Sequence, residues 1–564
     1  MSLKRLDEVE RGDVMPFDII RGVHPEYNDY KDMWEKCRDA YAGEEAVKAK
    51  GQKYLPQLNG QDKKEYENYK LRAQFYGATA RTVEAYLGMI WRKPTSYRFY
   101  HDGEESAELN DFFKEFFKVM TSDGKSFDDF AHDVAEDIIV TNRVGVLVDM
   151  PYVDPVALER MNLSDYRDAN IKPLLSVYAA ETIINWHTAV IDNQTIPVLY
   201  VLHEVITRIP ENTLVAEHVN RYRILYLENY QDRENRRYKV IVAEESLHKP
   251  ATLDNKSVNV VEVHYPTING EPIRTIPFFI LTDRGIGFKK IHKPMISDLA
   301  NVNLGHYRNS ADMENELHYV SLKTLIFPGW DKKAFGNPKV GGAMAAPEGN
   351  TPVLLEPTSD SSIREEMILK EQRMAVLGAE RISQKSRYLP SAETARITAS
   401  TESSVLSNMV LHLSETLTSV VQFLVDWAKP SITEFPGKLE VRVQISDDFY
   451  DDLITGADAL NWVNVYQQGG ISLPTLFYNL ERREAYPKGW SLQKETAALE
   501  GTSELILQQA MGNITSGQTN NPFFRQQTKE GEPSGGGEGL RGNPGVGADV
   551  TPRIRADRTR SRIS

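Results

Sequence analysis

Two helical segments separated by a turn-rich interruption constrain this chain more than any other feature. The first runs from Lys293 to about Leu322, with Pro294 at its start, where a missing backbone N–H costs nothing. Its apolar stripe is thin: Ile296, Leu299, Asn303, Tyr307, Ser310, Glu314 and Leu317 follow one another on one face, so polar side chains interrupt it. A helix this polar needs neighbours beyond one apolar core, and identical helices from adjacent copies in a ring would supply them. From Lys323 to Asp360, Pro and Gly recur too often for a long helix, and Val353 to Glu356 reads as a short strand. A second long helix spans Ser362 to Ser386. The stretch SRYLPSAETARITASTESS that follows is small and polar, and is expected to be loop. Leu406, Met409, Val410, Leu413, Leu417, Val420, Val421 and Leu424 then recur at helical steps, which predicts a helix with one continuous buried face.

Around this frame, 564 residues at 64.0 kDa exceed what one hydrophobic core usually holds, so several structural parts are expected. The 66 Lys plus Arg against 80 Asp plus Glu give a formal net charge of -14, the opposite of a protein built to grip phosphates tightly. A single cysteine, Cys37, excludes an internal disulfide framework and a thiolate metal cage, and suits assembly in a reducing cytoplasm. The N-terminal MSLKRLDEVERGDV has no apolar core after its positive charges, and no apolar run approaches the ~18 residues of a membrane span, so neither a signal peptide nor a membrane segment is expected.

The N-terminal third reads as mostly helical. Tyr66, Tyr69, Ala73, Tyr76, Ala80, Val83, Leu87 and Ile90 predict one helix from Lys63 to Lys93, stopped by Pro94. A second helix carries Leu109, Phe112, Phe113, Phe116, Phe117 and Met120, and a third runs from Asp128 to Thr141 into the strand GVLVDMP. From Pro173 to Thr282 short β-prone runs (LLSVYAAETIINW, IPVLYVLHEVITRI, YRILYL, YKVIVA, VNVVEVHY) alternate with turn residues, which predicts a mainly antiparallel β region. Farther on, KLEVRVQIS reads as a strand, Asp451 to Gln468 as a helix, and another helix ends near Met511. The Gly-, Pro- and Arg-rich end, which includes Arg553, Arg555, Arg558, Arg560 and Arg562, is expected to be disordered.

Motifs for catalysis fail on spacing. The GKS at Gly124 to Ser126 has Val119 where a phosphate-cradling loop requires Gly. His203 and Glu204 open a false H-E-x-x-H with Thr207 in the second His position, and G-x-S-x-G is absent. Asp447, Asp448, Asp451 and Asp452 have the composition of a Mg2+ site, but Ser446 and these aspartates also suit a helix cap. Gly285 and Gly287 read as a turn. No catalytic residue, metal or cofactor is expected.

Four stretches carry a resemblance: YLPQLNGQDKKEYENYKLRAQFYGATARTVEAYLGMIWRKP, FAHDVAEDIIVTNRVGVLVDMP, PMISDLANVNLGHYRNSADMENELHY and AETARITASTESSVLSNMV. In this order the chain resembles a family of tailed-bacteriophage portal proteins over roughly residues 50 to 430. The resemblance implies an α+β subunit of a closed homo-oligomeric ring of about twelve copies, a non-enzymatic channel for double-stranded DNA packaging and ejection. It implies a helical and β wing at 1–292, a first stem helix at 293–322 and a clip at 323–361. A second stem helix follows at 362–387, then a tunnel loop and helix at 388–430, a wing return and helical crown at 431–512, and a disordered tail at 513–564. Lys385, Arg387, Ser391, Thr394, Arg396 and Thr398 would face DNA in the tunnel loop. Trp330, Lys332, Lys333, Phe335 and Lys339 would dock the terminase at the clip.

The partners it implies are other copies, the terminase large subunit, the major capsid protein, a head–tail adaptor or tail proteins, and transient non-specific double-stranded DNA, with no membrane. The implied location is the portal vertex of the virion, and the host cytoplasm during assembly. Twelve helices at roughly 10 Å spacing leave a hole of roughly 28 Å, wide enough for duplex DNA. The alternatives are another structural ring of the virion, such as a head-completion adaptor, and a metal-dependent nuclease resting on the aspartate cluster alone.

Overall fold

A computed structural model describes residues 6–16, 22–150, 172–209, 214–245, 257–268, 270–287, 290–320, 324–326, 353–355, 361–378, 392–428, 437–447, 456–482, 486 and 492–499. The chain forms two compact units, Met1–Tyr450 and Asp451–Ser564, and its architecture is mixed α+β.

The first unit opens with strand β1 (Val14–Pro16) and helix α1 (Pro25–Ala42). His24 caps α1, its ring Nδ1 accepting the Glu26 N–H at 3.2 Å. Where the residue spacing predicts one helix, the structure has two, α2 (Lys63–Arg72) and α3 (Ala78–Ile90). The break has a tertiary cause. The Gln74 N–H donates to Ser310 Oγ at 2.9 Å and the Phe75 N–H to Glu44 Oε2 at 3.3 Å, so both amides leave the helical ladder. Phe75 is buried in consequence and Tyr76 is turned to solvent.

Strand β2 (Ser96–His101), α4 (Ala107–Phe116) and α5 (Phe127–Thr141) share an aromatic core in which Phe99 stacks on Phe113 with ring centres 4.1 Å apart. Asn142, with φ of 56°, ends α5 in the left-handed conformation, and its side chain also accepts the Asp283 N–H at 2.9 Å. Strand β3 (Val144–Asp149) follows.

The β region contains β4 (Leu174–Ala179), β5 (Ile183–Ile191), β6 (Gln194–Arg208), β7 (Glu217–Glu228), β8 (Arg237–Glu245), β9 (Ser257–His264) and β10 (Phe278–Thr282). Five of its strands and β1 form one six-stranded antiparallel sheet in the order β1-β9-β8-β7-β6-β5. A four-stranded sheet takes β4, β3, β10 and the short strand Gly285–Ile286. The run LLSVYAAETIINW, read from the sequence as one unit, is therefore divided between two sheets at the 3-10 turn Ala180–Thr182.

Gly145 sits under the Phe278 ring, where a Cβ would overlap it, and Phe278 is itself wedged against Tyr178 and Tyr200 at ring distances of 5.8 and 4.7 Å. Gly145→Ala is expected to cost about 1–3 kcal/mol as overpacking, read as a lower urea midpoint at unchanged slope. An unchanged midpoint would show that this ring moves aside freely.

Helix α6 (Ser297–Val320) leads to the antiparallel strand pair β11 (Thr324–Ile326) and β12 (Val353–Leu355). Then come α7 (Ser361–Leu377), the 37-residue α8 (Ala392–Ala428), about 55 Å long, and β13 (Leu439–Gln444), which pairs with β2. The apolar face expected of α8 is fully buried, from Leu406 at 4% exposure to Leu424 at 0%. On the adjoining face Ser414, Thr418 and Gln422 accept the N–H groups of Ile445, Val443 and Val441 at 3.1, 3.0 and 3.0 Å, and Gln422 Nε2 donates to Leu439 O at 2.9 Å. The helix thus serves the free edge of β13 as a neighbouring strand would. In the second unit, α9 (Gly456–Gln467) and α10 (Leu473–Arg482) bury Leu476 and Phe477, the latter stacked on Tyr486 at 4.7 Å.

Candidate functional site

The stretch from α6 to α8 is the candidate site. Several polar groups of α6 find partners inside the subunit, while the buried Asn303 Oδ1 and Tyr307 hydroxyl have none among the described residues. Asn303 and Tyr307 are fully buried and Ser310 is 2% exposed. Asn303 Nδ2 donates to Thr79 Oγ1 at 2.9 Å, the Tyr69 hydroxyl to Asp312 at 2.5 Å and Arg72 Nη2 to Asn315 at 2.8 Å. Thus α2 and α3 supply polar partners for a polar helix. Only toward its end does α6 open, with Leu317 half-exposed.

Exposed apolar surface lies on α7. Met367 and Met374 are buried, the latter packing with Leu299 and Ala78, and His306 Nε2 lies 3.2 Å from Glu371. On its other sides Ile368, Leu369, Val376 and Leu377 are 46%, 40%, 58% and 39% exposed. Four large apolar side chains on one 17-residue helix are thus left substantially exposed among the described residues.

Between α6 and α7 the ladder Thr324↔Leu355, Leu325↔Leu354 and Ile326↔Val353 ties the two ends of the intervening segment together. Trp330, Lys332, Lys333, Phe335 and Lys339 lie outside the described residues, as do Lys385, Arg387 and Ser391. Thr394, Arg396 and Thr398 lie on α8, not in a loop. The expectation underrated Ala392, Glu393, Ala395 and Ala399, good helix formers onto which an already nucleated apolar helix extends cheaply. As helix positions, 394 and 398 share a face and 396 lies across from it.

The rejected motifs have structural roles. Ser126 and Asp129 form a capping box for α5, and Lys125 pairs with Asp133 at 2.5 Å. His203 Nε2 is 3.0 Å from Asn220 Oδ1, and Glu204 accepts from the Tyr178 hydroxyl at 2.7 Å and from Arg223 Nε at 2.8 Å. Gly285, with φ of 100°, makes the tight turn between β10 and its short partner strand. Of the aspartate cluster, Asp448, Asp451 and Asp452 lie outside the described residues. Among the described residues no group of His, Cys, Asp and Glu could hold a metal ion, and no helix is long and apolar enough to cross a membrane.

Three cations escape sequence reasoning, Arg38 half-buried and Lys239 and Arg143 buried. Arg38 binds Asp137 at 2.8 Å and Glu181 through two bonds of 2.6 and 3.0 Å. Burial outweighs the attraction of Arg38 and raises the Asp137 carboxyl above its ordinary range. Lys239 donates to the carbonyls of Leu6, Asp7 and Val9 at 2.9, 3.1 and 3.0 Å. Among the described residues Arg143 Nε and Nη2 have no hydrogen-bond partner. No local sequence signal marks any of them, because each partner set comes from distant segments.

Residues 294–428, the span from α6 to α8, match a family model described as a domain of unknown function, DUF4055. No curated protein matches the chain. Among solved structures the chain is similar to a component of the neck of an empty GTA particle, with 10% identity, a TM-score of 0.34, and 71% of this chain and 87% of that one covered. It is similar also to a component of the virion of a native gene transfer agent particle, with 10% identity and a TM-score of 0.35 over 77% and 96% of the two chains. A third, from the neck of a native GTA particle, has 9% identity and a TM-score of 0.31 over 76% and 95%.

Proposed function

We propose that this chain is a ring-forming structural subunit of a phage-type particle, namely the portal through which double-stranded DNA is packaged and released. The observation that carries the reading is the order of elements from α6 to α8: a helix, a segment tied at its base by β11 and β12, a second helix, then a very long helix with one buried face. That order agrees with what the sequence resemblance implies for stem, clip, stem and tunnel helix. The exposed Ile368, Leu369, Val376 and Leu377 of α7 are suited to a contact between copies. In this reading Lys385, Arg387, Ser391, Thr394, Arg396 and Thr398 belong to the DNA-facing tunnel, and Trp330, Lys332, Lys333, Phe335 and Lys339 to the terminase-docking clip. Capsid and adaptor or tail proteins would surround the ring.

Native mass spectrometry and negative-stain imaging of the purified chain test this. Closed rings of about a dozen copies with a central hole are expected. Leu369→Asp with Val376→Asp, two positions on one face of α7, is expected to leave the far-ultraviolet circular dichroism of the subunit intact and abolish the rings. A folded monomer as the only wild-type species would overturn the ring, and rings unaffected by the double substitution would remove α7 from its interface.

A further inference from the structure

Arg143 stands between the left-handed Asn142 and strand β3, and is 1% exposed. Its Nε and Nη2 are both buried and have no hydrogen-bond partner. The indole of Trp186 on β5 covers the guanidinium, whose carbon lies 4.3 Å from the ring centroid, and His24 stacks on the same indole at 3.9 Å with the planes 22° apart. Burial pushes the guanidinium down to about 10, with Tyr200 and Glu26 as the groups that act against this from farther off.

The cation–π contact returns only part of what burying an unpaired ion costs. The two orphaned N–H groups make that imbalance worse. They also form a specific shape, because Nε and Nη2 are the edge of a guanidinium that meets two oxygens side by side. Elsewhere in this fold the same edge is filled: Arg38 offers it to Glu181 at 2.6 and 3.0 Å, and Arg221 to Glu244 Oε1 at 3.2 and 2.8 Å. On Arg143 neither nitrogen of that edge has a hydrogen-bond partner among the described residues.

We propose that the Nε and Nη2 edge of Arg143, over Trp186 at the start of α1, binds a small two-oxygen anion, a carboxylate or a phosphate. The positive end of the α1 dipole adds a favourable field. It adds no donors in the first turn, because the Glu26 N–H is taken by the His24 ring and the Tyr27 N–H by the His24 carbonyl, and Pro25 has none. Glu26 is the one acidic group in that first turn and sets an upper limit on how much negative charge the site accepts. A small monoanion suits it best.

The test is thermal unfolding of the full chain in sodium formate and in sodium phosphate, against chloride at equal ionic strength. A saturable rise of roughly a few degrees, half complete at millimolar anion, is expected with formate or phosphate and not with chloride. A response to formate alone marks a carboxylate site, and one to phosphate alone a phosphate site. Arg143→Lys keeps the charge but loses the paired edge, and should lose the response. Arg143→Met removes the buried charge, and should be at least as stable as the wild type without anion and indifferent to formate. No response beyond chloride in the wild type, or an equal response in either variant, would overturn the site.

Discussion

Arg38→Met is expected to lower the stability of the first unit by about 1–3 kcal/mol, less than for a fully buried ion pair because the Arg38 side chain is 32% exposed. The arginine holds Asp137 of α5 and Glu181 of the turn before β5, so it joins three segments, and its removal leaves Asp137 buried without its counter-charge. The pH dependence carries a sign. The folded state already raises the Asp137 carboxyl by burial, so this group favours folding most when protonated, and its contribution falls as pH rises through the carboxylate range. Losing Arg38 strengthens that trend. The deficit of Arg38→Met should therefore be full at about pH 7 and much reduced at about pH 4, as read from urea midpoints. An equal deficit at both pH values would mean that Arg38 acts through packing alone.

Lys239→Met should release the N-terminal segment while leaving the rest of the sheet in place. Lys239 gathers three carbonyls within residues 6–9, and the Tyr226 hydroxyl adds a bond to Asp7 at 2.9 Å. Methionine fills the space but donates nothing, so three buried acceptors seek water, and the route to water is detachment of that segment. Hydrogen exchange over residues 6–16 should accelerate on the order of a hundredfold, equivalent to roughly 3 kcal/mol of local opening, while β6 and β7 keep their protection. Uniform acceleration across β6 to β8 would show that the lysine supports the whole sheet.

Legibility in the sequence followed the range of the interactions. The buried face of α8 was readable because eight apolar residues repeat at helical steps and meet one continuous core. The break between α2 and α3 was not, since Ser310 and Glu44, which take the amides of Gln74 and Phe75, stand far away in the chain. The polar residues of α6 were noticed, but their partners Thr79, Tyr69 and Arg72 were assigned to an apolar stripe or passed over. Both α6, with the unpartnered Asn303 Oδ1 and Tyr307 hydroxyl, and α7, with its exposed apolar side chains, keep groups that the described residues leave unmet. Thr394, Arg396 and Thr398 were read as loop from their polarity, although helix propagation from Leu406 onward outweighs the modest cost of the threonines. Arg143 left no trace in the sequence, because nothing local distinguishes an unpaired buried arginine from a solvated one.

The seam between α8 and β13 limits how the long helix can move. Ser414, Thr418 and Gln422 engage successive alternate positions of the strand, one helical turn against two strand residues. A displacement of α8 along its own axis by one residue's rise, about 1.5 Å, would carry all three side chains out of hydrogen-bonding distance together. Residues 414–422 therefore cannot work as a piston. Force applied near residue 392 would reach the sheet as bending of a cantilever about a fixed root, with β13 and β2 as the wall that holds it.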